Sequence, residues 1–184
     1  MPLRLAAALA LFAVGCHSRP RTPEDAYARV ERAIAAADCA GVFPLVDGKT
    51  RAAIESVHHD ERLQRTIISA KYPEAEAQAA LAKLAAADES DVERYFVRRC
   101  AADKTLEGYR KRLGSVSGPI VTKPDASGTW VARKDGMPLH FANSDGRGWA
   151  WTELGTEWSL EKDRASHALQ TVRDNAKLYG APER

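Results

Sequence analysis

The chain changes texture at Gly114, and that change limits its fold more than any other feature. Residues 23–113 are built from strong helix formers interrupted by capping residues and prolines. Beyond them, the stretch GTWVARKDGMPLHFANSDGRGWAWTEL places Asp135-Gly136 and Asp145-Gly146 between short apolar runs. Aspartate-glycine favours tight hairpins, because glycine takes positive φ cheaply and the flanking runs then pair antiparallel. Helical periodicity returns from Ser159 to Tyr179, ahead of Gly180 and Pro182. The predicted class is α+β: a helical N-terminal two-thirds, a three- to four-stranded antiparallel meander and a closing C-terminal helix.

Local signals place the elements. Thr22-Pro23-Glu24-Asp25 is a helix start, with a cap, a proline at the first position and acids in the first turn. Tyr27, Val30, Ile34 and Ala37 then recur at helical spacing. A second helix is expected near Thr50, with Ile54, Val57, Leu63, Ile67 and Ile68 on one face and Asp60 restarting it after a kink. Pro73 opens an alanine-rich helix, Ser90 caps another through Cys100, and residues 106–113 form a short one. In the meander, period-two alternation turns Trp149 and Trp151 toward the helices and Ala150 and Thr152 outward. The stripe Leu160, Ala168, Leu169, Val172 and Ala176 is then expected to close the sheet's core. Residues 23–184 read as one domain, because this length supports a single substantial core.

The first sixteen residues set an address. Residues 5–14 are uncharged and apolar and follow Arg4. A membrane-crossing helix needs about 20 apolar residues, so this run is too short to span and matches a secretory leader. Ala13-Val14-Gly15-Cys16 resembles the lipobox of bacterial lipoproteins. The resemblance implies that residues 1–15 are a signal peptide, that Cys16 is acylated after cleavage, and that membrane lipid is the first partner. Residues 16–22 would then be the acylated cysteine and its tether. His17, where an aspartate would signal inner-membrane retention in enteric-type sorting, implies the outer membrane.

Lys plus Arg number 27 and Asp plus Glu 25, interspersed along the chain. A clustered basic face of the kind nucleic acid requires is absent from this pattern, so no nucleic-acid partner is expected. With Cys16 assigned to lipid, Cys39 and Cys100 remain. In an oxidising compartment they most economically pair with each other; two buried thiols acting as small hydrophobes are the alternative.

The opening TPEDAYARVERAIAAADCAGVFPLVDGKTRAAI resembles the first helix pair of small exported NTF2-like domains, which implies helices packed into the concave face of a curved sheet. No functional residue is carried over from that family. Candidate chemistry is sparse. His58-His59-Asp60-Glu61 is the densest group, with Glu55 and His59 one helical turn apart, but zinc needs three or four converging ligands. A nucleophilic Cys100 would draw on Arg98, Arg99 and an approaching His140 or His167, and competes with the disulfide. The four tryptophans at 130, 149, 151 and 158 serve as core or as a binding platform. Residues 143–148 lack the repeated acids of a calcium loop and read as a hairpin turn. No cofactor, metal or catalytic set is therefore expected. A membrane-anchored, non-catalytic binding or assembly domain is the preferred reading, with an envelope protein or small ligand as partner. An enzyme using a pocket in a concave sheet is the alternative.

Overall fold

A computed structural model describes residues 19–114, 117–143 and 146–179. The leader, Cys16 and residues 180–184 lie outside the described residues.

Helix α1 (Pro23–Ala35) starts as its sequence dictates: the Thr22 hydroxyl accepts from Asp25 N–H at 3.1 Å, ahead of a proline that has no amide hydrogen to orphan. Its Tyr27, Val30 and Ile34 are buried, and Tyr27 meets Phe141 edge to face at 6.4 Å. A short helix α2 (Cys39–Val42) and a 3₁₀ turn (Phe43–Leu45) lead to α3 (Gly48–Lys71), capped by Asp47. Then come α4 (Glu74–Lys83), a second 3₁₀ turn (Ala85–Asp88), α5 (Val92–Ala102) and α6 (Thr105–Leu113). Gly114 ends the helical part at φ +59°, a backbone conformation that glycine takes without strain.

Four strands follow: β1 (Ile120–Pro124), β2 (Thr129–Arg133), β3 (Leu139–Ala142) and β4 (Ala150–Trp151). They form an antiparallel meander in sequential order. Val131, Leu139, Phe141 and Trp151 point inward and are fully buried, so the sheet's inner face completes the core laid down by α1. The β4 edge is closed by a parallel bridge between Val46 and Trp151, and by Trp149 N–H donating to Pro20 O at 2.9 Å. The chain is therefore seated against the body from Pro20 onward, two residues before the α1 cap.

The last helix, α7, spans Leu154–Tyr179 and so begins five residues earlier than its periodicity implies. Leu154 and Trp158 enter the core, but the rest of the helix lies along α3 and not over the sheet. Gln64 donates to Ala165 O at 3.1 Å and Tyr72 to Val172 O at 3.4 Å, so the two helices run parallel. Leu160, expected in the apolar stripe, is 54% exposed. Two further expectations are corrected. Helix α3 runs unbroken through Asp60, since Ile54, Val57, Glu61, Gln64 and Ile68 all bury on one continuous face. The cap of α5 is Asp91, whose carboxylate accepts from Arg94 N–H at 2.8 Å, and not Ser90. Ala150 points away from the core side of the sheet yet is itself buried, and Thr152 is half-buried.

Candidate functional site

On the sheet's outer face, β3 presents His140 between the inward Leu139 and Phe141. Facing it are the opening turns of α3 and α7, and between them lies an open cleft of about 790 Å³. Its walls carry Lys49 and Ser56 from α3, Ser127 and His140 from the sheet side, and Ser159 and Lys162 from α7. A second open groove, of about 880 Å³, shares Ala52, Ser56 and Lys162 with it and continues along α3 past His59.

The His140 end is locked by hydrogen bonds. The Thr152 hydroxyl donates to His140 O at 3.2 Å, so its lone pair faces Nδ1 at 2.7 Å and makes Nδ1–H the donor. Nε2 then faces Ser127 Oγ at 3.3 Å and Asp125 Oδ1 at 3.6 Å. Asp125 is the hub of the β1–β2 turn: Oδ1 accepts from Ser127 N–H, Ser127 Oγ–H and Gly128 N–H at 2.7, 2.8 and 2.9 Å. Its other oxygen accepts from Trp130 Nε1–H at 2.7 Å. These donors, the Ser127 hydroxyl first, hold the Asp125 carboxyl well below the usual carboxylate range. A Cβ at Gly128 would sit 2.1 Å from Phe141 O, so only glycine lets the turn lie this close to β3.

A serine beside a histidine invites a nucleophile–base reading, and the distances decide against it. The Ser127 proton goes to the ionised Asp125 at 2.8 Å rather than to the more distant imidazole. Asp125 is in turn too weak a base to activate it. The group is a brace that fixes the cleft wall. What the cleft offers a ligand is hydroxyl groups, two lysines, the His140 imidazole, the Asp47 carboxylate that caps α3, and apolar carbon.

The other sequence candidates disperse. His58 is buried, stacked on Tyr95 at 4.6 Å with Nε2 against Glu89 O at 2.9 Å, while His59 and Glu55 are exposed. Glu61 turns inward to Tyr95 and Arg99. Among the described residues, no group of three or more His, Cys, Asp or Glu stands together as a metal site. Cys100 Sγ lies 2.12 Å from Cys39 Sγ with the Cα atoms 6.1 Å apart, which joins α5 to α2 as a disulfide. Arg98 pairs with Glu89, and His167 is exposed on α7. Of the tryptophans, Trp151 and Trp158 are core and Trp149 is half-buried against it. Trp130 is 37% exposed on the outer face of β2, near Val121 and Pro138 along an apolar groove of about 510 Å³. In the β3–β4 connection Gly148 N–H donates to Asn143 Oδ1 at 3.2 Å; residues 144 and 145 lie outside the described residues.

Sequence reading missed the Asp125 hub. Its signal was present, since aspartate followed by serine and glycine two and three residues on is an Asx-turn pattern. No protein-family description, no curated protein and no solved structure matches this chain.

Proposed function

We propose that this chain is a lipid-anchored protein of the bacterial cell envelope, held at the outer membrane, whose exported domain binds a small ligand or envelope partner without covalent chemistry. The observation that carries the reading is the Cys39–Cys100 disulfide geometry. Such bonds persist in oxidising compartments and are rare in the cytosol. This evidence for export is independent of residues 1–16, whose apolar run and Ala13-Val14-Gly15-Cys16 resemble a lipoprotein leader. No helix among the described residues is long and apolar enough to cross a membrane, and an acylated Cys16 supplies attachment without one. Two or more acyl chains hold a protein stably where one binds reversibly. Support for binding over catalysis comes from the interior, filled by Tyr27, Tyr95, Phe96, Phe141 and Trp151, with the clefts open to solvent and the Ser127 proton committed to Asp125.

The test is radiolabelled palmitate incorporation and membrane fractionation of wild type and Cys16→Ser. Label on the wild-type protein alone, with the variant soluble or retained as precursor, is the expected result. An unlabelled wild type, or a variant that fractionates normally with membranes, overturns the reading.

A further inference from the structure

We infer that the β1 edge of the sheet pairs with the β1 edge of a second copy of this chain, antiparallel about a two-fold axis at Val121. The two edges of the sheet are unequal. The β4 edge is closed by the chain itself, through the Val46–Trp151 bridge and the hydrogen bond from Trp149 N–H to Pro20 O. Strand β1 ends the sheet on the other side, with β2 as its one neighbour among the described strands. An uncovered edge is a row of unpaired main-chain groups and a template for another strand.

The phase of the β1–β2 ladder shows which groups are free. Lys134 N–H donates to Pro119 O at 3.0 Å, and Asp125 N–H donates to Gly128 O at 2.9 Å. Bonded pairs recur at every second residue of an antiparallel ladder, so Val121 and Lys123 are bonded to Ala132 and Trp130. The N–H and C=O groups of Ile120 and Thr122 therefore point outward, and nothing among the described residues bonds to them. Pro124 holds the next outward position and has no N–H to offer. The run open to pairing is Ile120-Val121-Thr122, uncharged and built of β-branched residues that favour strands.

The proline chooses the register. In a two-fold pairing centred on Thr122, Ile120 O of each copy would face Pro124 of the other and find no donor. Centred on Val121, Ile120 and Thr122 of one copy face Thr122 and Ile120 of the other, and every outward donor and acceptor of those residues is met. This register also sets Val121 against Val121 at a non-bonded position, where side chains come closest. Val121 is 49% exposed and lies with Trp130, Ala132 and Pro138 along the apolar groove of the outer face, so the pairing covers it and joins the two grooves. Lys123 falls opposite Pro119 of the other copy, which keeps the two ammonium groups apart. The tether docks at the far edge of the sheet, beside β4, and leaves β1 unobstructed.

The experiment uses the full chain, purified in mild detergent and oxidised with glutathione, carrying Val121→Cys or Thr122→Cys. Val121→Cys should form a 121–121 covalent dimer, because Cα atoms of a non-bonded pair lie about 4.5 Å apart, within disulfide reach. Thr122→Cys should stay monomeric, because diagonal neighbours lie about 7–8 Å apart, beyond that reach. Peptide mapping identifies the link and shows the Cys39–Cys100 bond intact. Adding Thr122→Pro to Val121→Cys removes an outward N–H and spares the β1–β2 ladder. The covalent dimer should then be lost with the unfolding midpoint of the reduced protein unchanged. No covalent dimer at 121, or an equal yield at 122, overturns the inference, as does a dimer that persists with Thr122→Pro. The palmitate test of anchoring is independent of these outcomes, so failure of either reading is seen separately.

Discussion

Arg99 on α5 grips the buried carboxylate of Glu61 on α3. Tyr95 donates to the other oxygen of that carboxylate at 3.0 Å, and Arg99 reaches on to Glu161 of α7 at 2.9 Å. One guanidinium thus ties three helices together. Removing one partner of a buried pair costs about 3–5 kcal/mol, because a charge is left unpaired. Arg99 would keep Asp103 and Glu161, so Glu61→Ala should cost less, about 2 kcal/mol by this reasoning. Urea unfolding at constant m-value checks it. A midpoint equal to wild type would show that the pair is neutral.

The disulfide links positions 61 residues apart. In the chain-entropy model a loop of this size stabilises the fold by about 4 kcal/mol. Non-reducing peptide mapping of exported protein should find one Cys39–Cys100 link, and Cys39→Ser/Cys100→Ser should lower the unfolding midpoint accordingly. Two freely alkylated cysteines in that material would contradict the geometry.

Which parts of this molecule could be read from sequence follows from the range of the physics involved. Thr22-Pro23 and the Asp135-Gly136 turn act through neighbours in the chain, so α1 and the meander were legible. The partner of α7 was not. Its stripe of Leu169, Val172 and Ala176 records that one face is buried but not against what, and the answer is α3 rather than the sheet. Charged residues mislead in the same way. Glu61 and Arg99 each look solvated alone, and only packing α5 on α3 makes them a buried pair. The Cys39–Cys100 pairing was inferred from compartment, and the approach of the two backbones came from tertiary structure. The cleft wall depended on Asp125 and His140, which neither motif nor periodicity connects.

Asp125 and Glu61 should give opposite pH dependences. Hydrogen bonds from Ser127, Gly128 and Trp130 lower the Asp125 carboxyl in the folded state. The unfolded chain then binds the proton more tightly, so this contribution is complete above the ordinary value of about 3.9 and is lost as pH falls toward the folded value. Burial raises the Glu61 carboxyl, with Arg99 and Tyr95 opposing. Its contribution therefore declines as pH rises from the ordinary value of about 4.3 toward the folded one. Asp125→Asn should flatten the stability profile below pH ~4, and Glu61→Gln should flatten it above that. Guanidinium unfolding across the acid range measures both, and unchanged slopes would refute the assignment.

Cutting the chain after His167 separates the two jobs of α7. The retained part keeps Leu154, Trp158 and Ala165 in the core, where all three are buried. The lost part carries Leu169, Val172 and Ala176, and the Tyr72 hydroxyl's acceptor on Val172. If that segment covers α3 and the start of α4 but not the sheet, its loss uncovers Ile68 and the C-terminal turns of α3 while the sheet stays closed. Burying one leucine contributes about 1.5–3 kcal/mol, so the truncation should cost at least about 3 kcal/mol with its smaller neighbours included. Amide exchange should quicken at residues 64–71, while protection of Val131 and Phe141 relative to global unfolding stays as in wild type. Tryptophan emission should not shift, because Trp151 remains packed against Tyr109, with ring centroids 4.8 Å apart, and stays within the core. A red shift with lost protection in the strands would mean that the far half of α7 holds the sheet after all, and that the two helices do not form a separable arm.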